Sequence, residues 1–287
     1  MAKKTYLLLG ILGLIWGSSF LFIKLGVDEM PPAFVAGGRL LSGLVFLLIA
    51  LRVQKLGMPR QALWSRLLMV ALLNNTIPWI LIPWGEQHIS SALASILNAT
   101  MPIFTVIIAH FVTSDDRLTW RKVAGIVLGF VGVIVLIRAD LQDVMSASAQ
   151  GDIAVLLACV SYGAGAVYAR QHLRHEDHTV LATGQLGFGL LLTTPLMLLS
   201  LGGLHAVPSP TALLAVGALG VLGSGLAYII YYWLIDRASA SQVSLVTYLL
   251  PVTAVFWGAA LLNETLGPNT FAGLILILAG IFLVNRR

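Results

Sequence analysis

Long apolar stretches alternate with short polar breaks along the whole chain. A bilayer span needs about 20 mainly apolar residues, and ten stretches approach or reach that length. They cover residues 5–25, 34–52, 65–87, 91–112, 120–138, 151–171, 178–200, 210–235, 239–262 and 268–285. The connections are short. The longest, near Ala139 to Gln150, is polar and rich in small residues. It separates a first unit, residues 1–140, from a second, residues 151–287.

The two units repeat one another. Ile89 to Pro102 reads ISSALASILNATMP, and at an offset of 149 it meets Ala238 to Pro251, ASASQVSLVTYLLP. Ser90 falls on Ser239, Ser95 on Ser244, Pro102 on Pro251, and upstream Trp84 falls on Trp233. At an offset of 146, Trp16-Gly17 meets Tyr162-Gly163, Lys24 meets Arg170, and Ala36 to Leu40 meets Ala182 to Leu186. At 148, Gly125 meets Gly273 and Gly132 meets Gly280. Each unit therefore carries five spans in matching order. Five is odd, so the second copy crosses the membrane in the opposite sense. The predicted fold is an all-α integral membrane protein of ten transmembrane helices, arranged as two inverted five-helix repeats. Such halves can exchange conformations around one central site.

Composition agrees with the pattern. Of 287 residues, 58% are hydrophobic and 10% charged, against roughly 25% charged in soluble domains. The apolar run after Lys3-Lys4 is too long for a signal-peptide core, lacks a cleavage site and ends at Lys24, so it reads as the first span. Cys159 is alone, which excludes a disulfide framework within the chain. A formal charge of +5 suits nucleic acid in a soluble protein, but here the basic residues sit between spans. With the N-terminus inside, 14 of the 17 Lys and Arg lie on the cytoplasmic side, and only Lys24, Arg39 and Arg138 lie opposite. Both termini are expected in the cytoplasm.

Five prolines, Pro78, Pro83, Pro102, Pro195 and Pro251, interrupt spans and can kink them. Pro102 and Pro251 are singled out as gating helix breaks, because the repeat pairs them. Glycines at spacings of three and four read as helix-packing positions. Trp16, Trp79, Tyr162, Tyr228 and Tyr248 fall near mid-bilayer rather than in the interfacial belts. Asn74, Asn75, Asn98, Ser95, Ser161, Ser224 and Ser244 also lie inside spans, where polar groups must find partners across helices or in a hydrated cavity. Together they suggest aromatic walls with amide and hydroxyl handles. Lys24, Arg39, Glu86 and Asp236 are placed near span ends, where snorkelling suffices. No carboxylate sits at mid-membrane, so no proton or sodium relay is evident. Glu86 with His88 comes nearest and reads as a solvated cap. The run His172 to His178 lies in a loop and is a poor zinc site. No HExxH, GxSxG or glycine-rich phosphate loop supports an enzyme.

The ten spans, the duplicated halves, Trp16-Gly17-Ser18-Ser19-Phe20, Arg39, the WGEQHISSALASIL segment, Pro102 and the acidic Glu264 before the last span resemble the EamA family. This family of bacterial metabolite exporters belongs to the drug/metabolite transporter superfamily. Asp116 stands where the family often has Glu. Within the family the chain looks most like exporters of amino acids, aromatic ones included. The resemblance implies a basket-like bundle in the inner membrane, a central cavity and alternating access. The expectation is a secondary transporter exporting amino acids or similar small metabolites. Trp16, Trp79, Tyr162 and Tyr248 would stack on the substrate, and Asn75, Asn98, Ser95 and Ser244 would bind its polar groups. The expected partners are a small-molecule substrate and the lipid bilayer, with no nucleic acid, no cofactor and no metal, in a chain with a monomer as the working state. The rival readings are a drug or quaternary-ammonium exporter, an intramembrane enzyme and a passive channel.

Overall fold

The computed structural model describes residues 2–112, 118–137, 146–173, 176–204, 206–237 and 245–285. All regular structure among them is helical. Helices α1 (Ala2–Val27) and α2 (Pro32–Gln54) are continuous. The third segment is composite. A 3-10 turn at Gln61–Leu63 leads into α3 (Trp64–Ala71), then a π-helical stretch at Leu72–Thr76, then α4 (Pro78–Glu86). The fourth segment is divided into α5 (Ser91–Asn98) and α6 (Met101–Val112), and α7 (Trp120–Leu136) closes the first half.

The second half repeats this order. It opens with α8 (Ala147–His172) and α9 (His178–Leu199). Next come α10 (Pro210–Gly220), a second π-helical stretch at Val221–Leu226 and α11 (Ala227–Arg237). Helices α12 (Leu245–Leu261) and α13 (Pro268–Asn285) complete it. Seven helical stretches among the described residues are long and apolar enough to cross a membrane. Helices α7, α12 and α13 are shorter, at 17, 17 and 18 residues.

The polar breaks start helices by supplying acceptors for their first free N–H groups. Ser90, Ser146 and Ser209 each accept from the backbone three residues on, at 3.2 Å. Asp177 accepts from Thr179 and Val180. One cap comes from the other half of the chain. The Glu264 carboxylate accepts from the Ser91 and Ala92 amides at 2.7 and 3.1 Å, placing negative charge at the N-terminus of α5, where the helix dipole favours it.

Packing runs mainly between the halves. Helix α1 lies along α12, and α8 lies along α6; α2 packs on α10 and the second π stretch, and α9 on α3 and the first. Helix α7 pairs with α13, and α2 with α9. Each of these contacts follows one rule: it recurs with the two halves exchanged. Individual atoms obey it. A Cβ on Gly43 would lie 2.9 Å from Leu186 Cδ2, and one on Gly189, at an offset of 146, would lie 2.9 Å from Leu40 Cδ2. Both glycines let a helix approach a π stretch, with Ser224 Cβ 3.2 Å from the first position and Asn75 Cβ 3.3 Å from the second.

At the rim, Glu29 between α1 and α2 accepts from Ser209 N at 2.5 Å and Ser209 Oγ at 2.6 Å. The matching contact in the other half is the Arg60–Glu176 ion pair at 2.9 Å. The Ser209 side chain first, and its backbone amide second, hold the Glu29 carboxyl below its ordinary value. A carboxylate lowered in the folded state adds stability above its unfolded pKa and loses it as pH falls through the folded one. Glu29→Gln should therefore lower the thermal midpoint near pH 7, and the difference from the parent should close as the solution is acidified below pH 4. Thermal unfolding of both proteins across that pH range checks it; a constant difference would mean the carboxylate charge is irrelevant.

Candidate substrate site

A π-helical turn inserts an extra residue and leaves carbonyls without their usual helical donors, and such turns frequently mark functional sites. The two π stretches occupy corresponding places, with Leu72 falling on Val221 and Asn75 on Ser224 at an offset of 149. Side chains from the opposite half fill in the missing donors. From α8, Ser161 Oγ donates to Leu73 O at 2.7 Å. From α1, Trp16 Nε1 donates to Gly223 O at 3.1 Å.

A second exchanged pair lies beside them. Gln185 on α9 donates to Asn75 Oδ1 at 2.6 Å, and Arg39 on α2 donates from Nε to Ser224 Oγ at 2.9 Å. Arg39 and Gln185 correspond at an offset of 146, as Asn75 and Ser224 do at 149. The two contacts are one contact built twice, once with a charge and once without.

Aromatic rings surround the charged member. The guanidinium lies 3.7 Å from the centre of the Trp79 ring, a cation–π arrangement that partly replaces lost hydration. Trp79 Nε1 donates to Tyr162 Oη at 2.8 Å. Tyr228, which corresponds to Trp79 at an offset of 149, reaches Asn75 and Gln185 with its hydroxyl. Trp16 packs against Tyr231 with ring centres 5.4 Å apart. Elements α1, α2, α4, α8, α9, α11 and both π stretches thus converge on one polar and aromatic centre.

A family model described as the EamA-like transporter family matches the chain twice, over residues 3–138 and 149–286. The chain belongs to the EamA-like transporter family. EamA-like relatives align over nearly their full length. A Bacillus subtilis protein described as "Uncharacterized transporter YoaV" is 29% identical over 96% of this chain and 95% of its own. The Escherichia coli "Uncharacterized inner membrane transporter YedA" is 31% identical over 95% and 87%. A Salmonella typhimurium "Probable amino-acid metabolite efflux pump" is 29% identical over 99% and 95%. A crystal structure 18% identical in sequence superposes with a TM-score of 0.70 over 99% of this chain and 98% of its own. That likeness concerns the fold. The chain is a multi-span membrane protein of a transporter family rather than of an enzyme family.

Against this EamA-like frame, the structure places the expected residues unevenly. Trp79, Tyr162 and Asn75 stand together at the centre, and Trp16 joins them through the second π stretch. Asn75 is fully buried and already bonded to Gln185. Ser95 is buried within α5, its hydroxyl without a hydrogen-bond partner among the described residues. Asn98 ends α5 beside Cys159, whose Sγ lies 3.9 Å from Asn98 Oδ1. Tyr248 on α12 packs against the main apolar core. Ser244 and Asp116 lie outside the described residues. The two prolines differ. Pro102 is the second residue of α6, just after a true break at Ala99–Thr100, whereas α12 runs through Pro251 unbroken. The break expected at Pro251 is absent. Thr253 Oγ1 lies 3.0 Å from the carbonyls of both Leu249 and Leu250 in the same stretch.

Two charged residues depart from expectation. Arg39 does not snorkel at a span end but turns inward to the centre. Glu86 is no solvated cap: it is fully buried, and neither carboxylate oxygen has a hydrogen-bond partner among the described residues. Its backbone carbonyl accepts from Lys24 Nζ at 2.5 Å, so the ammonium stays close to the buried carboxyl. Gln185 is a central residue that the sequence signals only through its alignment with Arg39 in the repeat.

Proposed function

We propose that the chain is a secondary transporter exporting small organic metabolites, amino acids with aromatic or hydrophobic side chains foremost, across the bacterial inner membrane by alternating access. The observation that carries this reading is the pair of exchanged contacts, Arg39 with Ser224 and Gln185 with Asn75. A five-span unit repeated in inverted sense would place these contacts about a pseudo-twofold axis in the membrane plane. Two nearly equivalent halves then support two nearly equivalent states, each opening the centre to one side. Ten spans and cytoplasmic termini are the topology that fits the charge bias. Units 1–140 and 151–287 are its two halves. A relative described as a probable amino-acid metabolite efflux pump supports the substrate class. Trp16, Trp79, Tyr162 and Tyr248 are proposed as the apolar walls, with Asn75, Asn98, Ser95 and Ser244 as polar contacts. Pro102 opens α6 just past the Ala99–Thr100 break, about which the half-helix α5 would move. The partners on this reading are the cargo and the bilayer.

Uptake of labelled amino acids into proteoliposomes tests the proposal, with and without an imposed proton gradient. Saturable uptake of aromatic or aliphatic amino acids is expected. No uptake of any amino acid by folded protein would overturn the substrate class. A gradient that accelerates uptake would identify proton coupling, and Glu86 with Lys24 would then be the first groups to vary.

A further inference from the structure

A cation inside a membrane protein is costly, and such residues pair with one another or mark the path of a charged solute. Arg39 is such a cation, and its environment is incomplete. Nε is bonded to Ser224, and Nη2 stands 3.5 Å from Gly223 O, at the limit of a hydrogen bond. Nη1 has no partner among the described residues. No carboxylate among them forms an ion pair with Arg39, and the titratable groups beside it are the Tyr162 and Tyr228 hydroxyls. The side chain is half-buried rather than sealed, and its nitrogens are not among the enclosed orphan atoms. The outer edge of the guanidinium therefore has no hydrogen-bond partner among the described residues, and Trp79 lies against its face.

The repeat supplies an internal control. At the corresponding position of the other half, Gln185 reaches the opposite π stretch without any charge. Bridging a helix to a π stretch thus requires only an amide. The charge at residue 39 adds something the bridge does not need. A guanidinium with free N–H groups on one edge matches a carboxylate, which it can hold through two parallel hydrogen bonds.

We propose that the Arg39 guanidinium is the docking point for a carboxylate of the transported solute, which makes that group a requirement for recognition. The Arg39 edge and the Trp79 face would together hold a carboxylate next to an apolar or aromatic body, and the same charge repels quaternary ammonium compounds and other cations. This inference rests on the reading of the centre as the cargo site, and it adds the chemical group that the cargo must carry.

The test uses the full chain, purified in lipid nanodiscs, and titration calorimetry with two ligand series. One is L-phenylalanine, 3-phenylpropionate, L-phenylalaninamide and phenethylamine; the other is L-leucine and L-leucinamide. In the unaltered protein the acids should bind at least 10-fold more tightly than the matching amides, and phenethylamine should not bind. Losing a charge-assisted pair costs on this scale. Arg39→Gln copies the residue of the other half, so the fold should be kept, while acid affinity falls to that of the amide and amide affinity stays unchanged. Arg39→Lys should keep part of the preference. A merely structural role would instead weaken every ligand alike. Equal affinity for acids and amides in the unaltered protein would overturn the inference without needing any variant to fold, and uptake of both would leave the transporter reading standing. A folded Arg39→Gln protein that still prefers acids would also overturn it. If no member of either series binds and no amino acid is taken up, the inference and the amino-acid reading fall together.

Discussion

Gly280→Ala should lower the unfolding free energy by about 1–3 kcal/mol, the usual cost of forcing extra volume into a filled interface. A methyl there would sit 2.6 Å from Gly125 O and 2.7 Å from Gly129 N. Both are backbone atoms, which cannot rotate aside, so α7 and α13 must separate. The repeat builds the same contact from the other side: a Cβ on Gly273 would lie 2.9 Å from Gly132 O. Close approach through small residues is how membrane helices gain dispersion contacts when lipid competes for every apolar surface. Gly125→Ala should cost a similar amount, since its Cβ would meet Gly280 O at 2.6 Å. The double variant should lose less than the two single losses combined, because one separation of the helices makes room for both methyls. Gly217→Ala is the control. Nothing among the described residues lies within 4 Å of a Cβ at that position, and alanine is the better helix former by about 1 kcal/mol. Thermal unfolding in detergent, followed by tryptophan fluorescence, measures all four. An unchanged midpoint for Gly280→Ala would mean that the helices are not held at this distance.

Much of the fold is legible in the sequence, because a bilayer imposes a simple rule on composition and because the chain states its architecture twice. The offsets of 146, 148 and 149 pair residues that the structure shows in exchanged contacts, among them Arg39 with Gln185 and Asn75 with Ser224. The offsets identify equivalent positions but not neighbouring ones, and contact depends on how the halves dock. Gln185 was therefore visible as the counterpart of Arg39 and invisible as the partner of Asn75. The π stretches were illegible for another reason. LLNNT and VLGSGL carry no distinctive composition; the extra residue is accommodated because Ser161 and Trp16 arrive from elsewhere to occupy the freed carbonyls.

Distance from the end of an apolar run does not give the direction in which Arg39 points. The residue lies seven positions beyond the start of α2, close enough to an end to suggest snorkelling, yet its side chain turns toward the bundle. Direction depends on which face of α2 meets α10, and hydropathy alone does not encode that. Glu86 follows the same logic at the end of α4, where Lys24 from α1 accompanies it into the interior. Pro102 and Pro251 show the limit of the repeat itself. Equivalent prolines sit in a broken and an unbroken helix, so a matched sequence position does not ensure a matched conformation.

Trp79→Ala is expected to cost about 3–5 kcal/mol of stability, the range for deleting a large aromatic side chain from a core, and to reduce transport at least tenfold. The ring is only 3% exposed, and its removal undoes two further contacts. The Arg39 guanidinium loses the face it lies on at 3.7 Å, an interaction worth about 1–2 kcal/mol when desolvated. The Tyr162 hydroxyl loses its donor at 2.8 Å. Trp79→Phe separates these effects. It retains an aromatic face and most of the volume but has no N–H, so it should cost about 1 kcal/mol through the lost hydrogen bond and keep most of the transport. Leu47→Ala provides the comparison for a purely structural loss. Leu47 is fully buried in the same apolar cluster, and its truncation should destabilise by about 2–5 kcal/mol while leaving uptake per folded molecule unchanged. Chemical unfolding gives the stabilities, and uptake normalised to folded protein gives the activities. If Trp79→Ala and Leu47→Ala prove alike, unstable but fully active once folded, Trp79 is core packing and not a wall of the cargo site. A Trp79→Ala protein that folds but no longer holds its cargo would place the ring, with Arg39 on its face, at the point where the solute is bound.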